Sequence, residues 1–245
     1  MKKFLTACAM TLVAAPAFAD LTPLFKVYAG GGSWTAELGG DLGSTDTDVS
    51  DLGFDEENNT FFYAGFEHPV PLIPNVRIES SSISSSGTAT LTAAYEFNGT
   101  TFNASETVDS EIDLTFTDGT LYWEILLIDF GLTLRQFDAE VSAESSTEAV
   151  DESVDAVLPM LYLATQVDLP FTGLYVGGNV NGISFDGKSL TDFRGGVGYH
   201  LDLGPAATLG AELGYRSFSL DLGDDEDIEG KIDLSGIYFG VNVTF

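Results

Sequence analysis

Apolar and polar residues alternate along most of this chain, and the alternation is cleanest at its end. Counting back from the terminus, Phe245, Val243, Val241, Phe239 and Ile237 are apolar, while Thr244, Asn242, Gly240, Tyr238 and Gly236 between them are polar or small. A period of two belongs to a strand, whose successive side chains point to opposite faces. The pattern recurs over residues 24–38, 59–68, 75–97, 107–126, 128–142, 155–168, 172–185, 190–202, 206–220 and 231–245. These segments predict ten strands and an all-β chain. Short breaks rich in proline (His68-Pro69-Val70-Pro71-Leu72-Ile73-Pro74, Asp168-Leu169-Pro170-Phe171, Leu203-Gly204-Pro205-Ala206) alternate with longer acidic ones at 39–58, 143–153 and 221–230. Short turns at one end and long loops at the other are the habit of an antiparallel transmembrane β-barrel.

Two positions leave the strand count open between ten and eight. The turn at Leu126-Leu127 carries no glycine or proline, yet the outward parity changes there from Leu121, Trp123 and Ile125 to Ile128, Phe130, Leu132 and Leu134, as a tight turn requires. Asp118-Gly119 reads either as a hairpin turn or as a bulge inside one long strand. The third and fourth strands exceed what a bilayer needs and are expected to project as a ribbon with a polar tip at 98–106. The competing architecture, a soluble sandwich or cavity barrel, would turn its apolar face inward. The glycines and charges crowding the polar face, and the aromatics near one set of strand ends (Phe25, Phe66, Phe130, Phe171, Tyr199, Phe245), favour the membrane barrel.

The N-terminus points to the same place. A basic start (Met1-Lys2-Lys3), an apolar run over 4–15 and the small-residue site Ala17-Phe18-Ala19 predict a signal peptide at 1–19, leaving 20–245 as one barrel domain. Cleavage removes the single cysteine, Cys8, so the mature chain has no disulfide and no thiol chemistry. Nine lysines and arginines less Lys2 and Lys3 leave seven bases against 38 acids, a formal charge of −31. Such a surface repels nucleic acid and suits cations or basic partners. No later stretch offers the run of about 18 apolar residues that a membrane helix needs, since 121–134 is interrupted by Glu124 and Asp129. A membrane crossing therefore requires a closed barrel.

The hairpin Glu67-His68-Pro69-Val70-Pro71-Leu72-Ile73-Pro74-Asn75, the segment Leu121-Tyr122-Trp123-Glu124-Ile125-Leu126-Leu127-Ile128-Asp129 and the terminal strand resemble a family of small outer-membrane β-barrel proteins of unassigned activity. The resemblance implies a location in the outer membrane of a Gram-negative bacterium. It also implies lipid and lipopolysaccharide as surroundings, and Phe245 as the terminal aromatic read by the barrel assembly machinery. It transfers no functional residue.

The candidate chemistry is charge on the inward face. All four arginines, Arg77, Arg135, Arg194 and Arg216, fall there by parity, as do Glu67, Glu79, Glu124, Asp192 and Glu212. Side chains fill a barrel this narrow, and buried charges must pair. An internal salt-bridge network is therefore expected, either as a structural plug or as a filter for small ions. The acids at 41–57 and 221–229 make divalent cations a candidate partner, although Asp46-x-Asp48-x-x-Asp51-x-Gly53 lacks the spacing of a calcium loop. No catalytic, cofactor or metal residue is assigned. Of the two histidines, His68 lies in a turn, and His200 has Asp202 two residues on but no serine in a nucleophile elbow. The expected role is a closed, surface-presenting barrel. A narrow pore for small cations or solutes is the alternative, with a rim enzyme third.

Overall fold

The computed structural model describes residues 25–42, 47–54, 57–97, 99–221, 223 and 230–245. The leader assigned to 1–19, and the loop acids Asp46, Asp55, Glu56, Asp224, Asp225, Glu226, Asp227 and Glu229, lie outside them. Ten long strands form a meander: β1 (Lys26–Leu42), β2 (Glu57–Glu67), β3 (Asn75–Thr90), β4 (Thr107–Ile125), β5 (Ile128–Glu144), β6 (Ala149–Asp168), β7 (Leu174–Phe185), β8 (Lys188–Asp202), β9 (Thr208–Asp221) and β10 (Gly230–Thr244). Each is antiparallel to the next. Strand β10 returns to β1 in register from Tyr28↔Thr244 to Leu42↔Gly230, which closes the sheet. Closure gives every strand two neighbours and leaves no edge through the closed part of the wall.

The fourth connection is a two-residue turn at Leu126-Leu127, closed by the pair Ile125↔Ile128. Leu126 adopts φ 62° there, a conformation that usually calls for glycine. Asp118-Gly119 is neither turn nor bulge, because Glu79↔Asp118↔Arg135 and Ile78↔Gly119↔Leu134 run through unbroken ladders on both sides. Two other expectations are corrected. Most of 143–153 is strand, since β5 and β6 continue to Glu144 and Ala149. The ribbon tip is not simply polar: Tyr95–Phe97 and Thr100–Phe102 form a small hairpin that buries Tyr95, Phe97 and Phe102 against Leu52, Leu91, Val108 and Ala143.

The polarity of the two faces exchanges along the strands. Near the short turns, apolar residues point out: Leu121 on β4, Leu132 and Leu134 on β5, Leu161 and Leu163 on β6, Leu213 on β9 and Phe239 on β10 are all exposed. Farther along the same strands the apolar residues take the other parity and point in. Ile112, Leu114 and Phe116 on β4, Phe137 on β5, Phe218 on β9 and Ile232 and Leu234 on β10 form one buried cluster with Trp34, Phe61 and Ile83. No register changes at the exchange, so the surroundings change and the strands do not. One zone is a barrel with an apolar exterior, and the other is an ordinary apolar core with a polar exterior.

The exterior belt on β6 runs from Val157 to Val167. Ten residue steps at about 3.4 Å, tilted by about 40°, give a height near 26 Å, which matches the ~25 Å apolar band of a lipid-spanning barrel. Phe25 stacks on Phe66 and Trp123 on Phe130 at its lower rim, with centroids 5.7 and 6.1 Å apart. Leu161→Arg, in mid-belt, is expected to cost about 2–4 kcal/mol when urea unfolding is followed in lipid vesicles. Ser153→Arg, on the outward face of the same strand above the belt, should change stability by under about 0.5 kcal/mol. Equal costs would show that the belt does not face lipid.

Candidate functional site

The exchange of faces takes place at one level, and the buried charges lie across the lumen there. Asp192 of β8 accepts from two arginines at once. Arg216 approaches through Nε and Nη2 at 3.0 and 2.8 Å, and Arg135 through Nη2 at 2.9 Å. Arg135 also forks onto Asp118 of β4, with Nε and Nη2 each 2.7 Å from a carboxylate oxygen. Glu79 of β3 bridges the other two guanidiniums, bonding Arg194 and lying 2.6 Å from Arg77. Arg216 Nη1 reaches the Ser81 hydroxyl at 3.2 Å. Strands from opposite sides of the barrel are thereby tied through its middle.

Four positive charges meet three carboxylates in this cluster, and aromatic faces supply the remaining electron density. Arg135 lies 4.0 Å from the Phe116 ring centroid, Arg77 4.1 Å from Tyr63, Arg194 4.2 Å from Phe61 and Arg216 4.8 Å from Trp34. The ring quadrupole attracts a cation most strongly where water is excluded. Arg135 and Arg216 are each 1% exposed, so the cluster fills the lumen at this level.

The other inward acids sit lower and bond to tyrosines. Glu67 accepts from Tyr122 at 2.9 Å and pairs with Lys26 at 2.9 Å. Glu212 accepts from Tyr175 at 2.8 Å and from Tyr238. Glu124 stands exposed at the lower rim, beside a pocket of about 450 Å³ lined by Lys26, Glu67, His68 and Trp123. Parity thus finds all four arginines and most of their surroundings but not Asp118, whose even position on β4 was the available signal. His200 stacks on Tyr175 at 4.3 Å and lies 3.9 Å from Asp168. Asp202 is turned to Thr208 instead. Phe245 trades backbone hydrogen bonds with Val27 at 2.8 and 3.1 Å, sealing the seam between the first and last strands.

Above the belt the outward face is acidic. Asp113 and Glu140 are cross-strand neighbours, as are Asp138 and Asp155. A hydrogen bond shared with Asp155 is the main reason that the Asp138 carboxyl is held above its ordinary value.

These features are those of a barrel built for a membrane. The structural likeness is to small outer-membrane β-barrels. Ail of Yersinia pestis is 8% identical, covering 91% of this chain and 99% of its own, with a TM-score of 0.37. The transport unit of the Escherichia coli autotransporter AIDA-I is 7% identical over 96% and 94%, with a TM-score of 0.39. The toluene transporter TodX of P. putida is 10% identical over 92% and 91%, with a TM-score of 0.28. No family model and no curated protein matches the sequence. Likenesses this distant carry no site residue across.

Asp192→Asn weakens the acceptor shared by two buried guanidiniums and is expected to destabilise the barrel by about 3–5 kcal/mol in urea unfolding. Lys26→Ala, at a half-exposed pair, should cost no more than about 1 kcal/mol. A second expectation concerns Asp138. A carboxyl with a raised folded value contributes stability below its unfolded value and loses it as pH rises through the folded value. Asp155→Asn should therefore move the NMR titration midpoint of Asp138 downward; an unmoved midpoint would refute the shared hydrogen bond.

Proposed function

We propose that the chain is an outer-membrane β-barrel, exported by the leader at 1–19 and closed at Phe245, whose role is to hold an acidic, water-facing structure above the membrane. One observation carries this reading. Directly above the arginine cluster the lumen is packed with buried apolar side chains, including Phe116, Phe137, Phe218 and Leu234. A barrel for passage would keep a polar, hydrated path along its axis. Here the polar lower lumen ends at the cluster, and an apolar core begins where the wall leaves the belt. Lipid and lipopolysaccharide are the expected surroundings, and the acidic exterior suits loosely held divalent cations or a basic partner. The reading assigns no catalysis.

The test is conductance of refolded residues 20–245 in a planar bilayer, with a heat-modifiable gel shift to show folding. Silence is expected. Arg216→Ala should also be silent, because the apolar core above the cluster still fills the lumen. Discrete cation-selective steps from the wild-type barrel would overturn the closed reading in favour of a narrow pore.

A further inference from the structure

The barrel wall is not equally tall all round. The ladder between β6 and β7 stops at Leu161↔Gly182, whereas the ladder between β5 and β6 continues for twelve more residues of β6, to Glu144↔Ala149. Strand β7 turns back at Asp186-Gly187, both with positive φ, and so leaves the upper part of β6 beside a gap. Among the described residues no strand pairs with that side of β6. The opposite border of the projecting ribbon, upper β3, is touched by a bridge from Phe54 to Gly87.

The two-residue turns fix which backbone groups face the gap. A two-residue hairpin turn closes on a hydrogen-bonded pair, and bonded and non-bonded pairs then alternate along the ladder. From Ile125↔Ile128, the even residues of β5 bond to β4 and the odd ones to β6. Carried across Arg135↔Leu158, the even residues of β6 bond to β5. The N–H and C=O groups of Asp151, Ser153, Asp155 and Val157 therefore point into the gap. Pro159, next in this series, has no N–H to offer and marks the base of the open edge.

The side chains along this edge specify an occupant. Asp151, Ser153 and Asp155 are exposed on the outward face, with Val157 67% exposed at its foot. Val154 belongs by parity to the inward face that buries its neighbours on β4 and β5, yet it is 39% exposed. An open edge pairs with any extended chain that its charges permit. Two copies of this edge would set Asp151 and Asp155 against each other's carboxylates, which disfavours self-pairing.

We propose that the upper edge of β6 is a docking site for an extended segment of another protein in which basic residues alternate with apolar ones. The segment adds as a strand, takes backbone hydrogen bonds from Asp151, Ser153, Asp155 and Val157, sets its basic side chains against Asp151 and Asp155, and covers Val154 with its apolar face. This inference rests on the projection of the ribbon from the membrane proposed above.

The test uses the full mature barrel in lipid vesicles and two blocked eight-residue peptides, one alternating lysine with valine and the other glutamate with valine. Hydrogen exchange is read at single amides. Saturable binding of the lysine peptide is expected, with new protection at Asp151, Ser153, Asp155 and Val157 and none at Val154 or Ala156, which already donate to β5. The double variant D151K/D155K should weaken that binding by about tenfold and admit the glutamate peptide. Binding without protection of the four alternate amides, or no saturable binding, would overturn the proposal, leaving Pro159 and the acids as guards against self-pairing. If those amides are protected in vesicles without any peptide, the projecting ribbon itself is wrong. The two failures are thus distinguishable.

Discussion

Asp192 can be ionised in the middle of this barrel only because two guanidiniums face it, and the rest of the architecture is arranged around that requirement. A buried ion pair rarely stabilises a fold over a well-packed apolar substitute, but an unpaired buried charge is strongly destabilising. Once Arg135 and Arg216 are both committed to Asp192, Arg135 needs Asp118 and Arg194 needs Glu79. Strands β3, β4, β5, β8 and β9 are thereby locked in mutual register across the lumen. A slip of one residue in any of them would turn its charge outward into the belt. The cluster specifies register in a way the exterior cannot, since one outward leucine serves there much like another.

The same level is where each strand passes from one solvent to another, and this explains what the sequence revealed and what it concealed. Alternation survives the crossing, so the ten strands and the inward parity of the arginines were legible. The apolar parity does not survive it. On β4 the apolar set changes from Leu121, Trp123 and Ile125 to Ile112, Leu114 and Phe116 with no slip in pairing. Read alone, that change looks like an extra residue or a turn at Asp118-Gly119, and such a reading removes Asp118 from the inward face. It takes a comparison of several strands to show otherwise, because β5, β9 and β10 exchange parity as β4 does. Independent bulges in four strands would not coincide there.

The acidic stretch at 143–153 was obscure for a related reason. Glu144, Asp151 and Ser153 face water, so that segment lacks the outward apolar residues by which the lower strands announce themselves. Its inward residues, Ala143, Val150 and Glu152, are small, partly buried or charged. Composition then resembles a loop, while the backbone continues a regular ladder with β5.

Charge is divided between inside and outside with little overlap. Every arginine is in the lumen, and Lys26, Lys188 and Lys231 are the only other bases after the predicted leader. Arginine suits the interior because its planar fork can hold Asp118 and Asp192 together while sitting over the Phe116 ring, which a lysine ammonium cannot do. The exterior above the belt is left with acids that have few bases to answer them, among them the cross-strand neighbours Asp138 and Asp155. A surface so short of bases cannot neutralise itself by folding. Its neutralisation must come from outside the chain, through cations in the medium or through the basic side chains of whatever docks there.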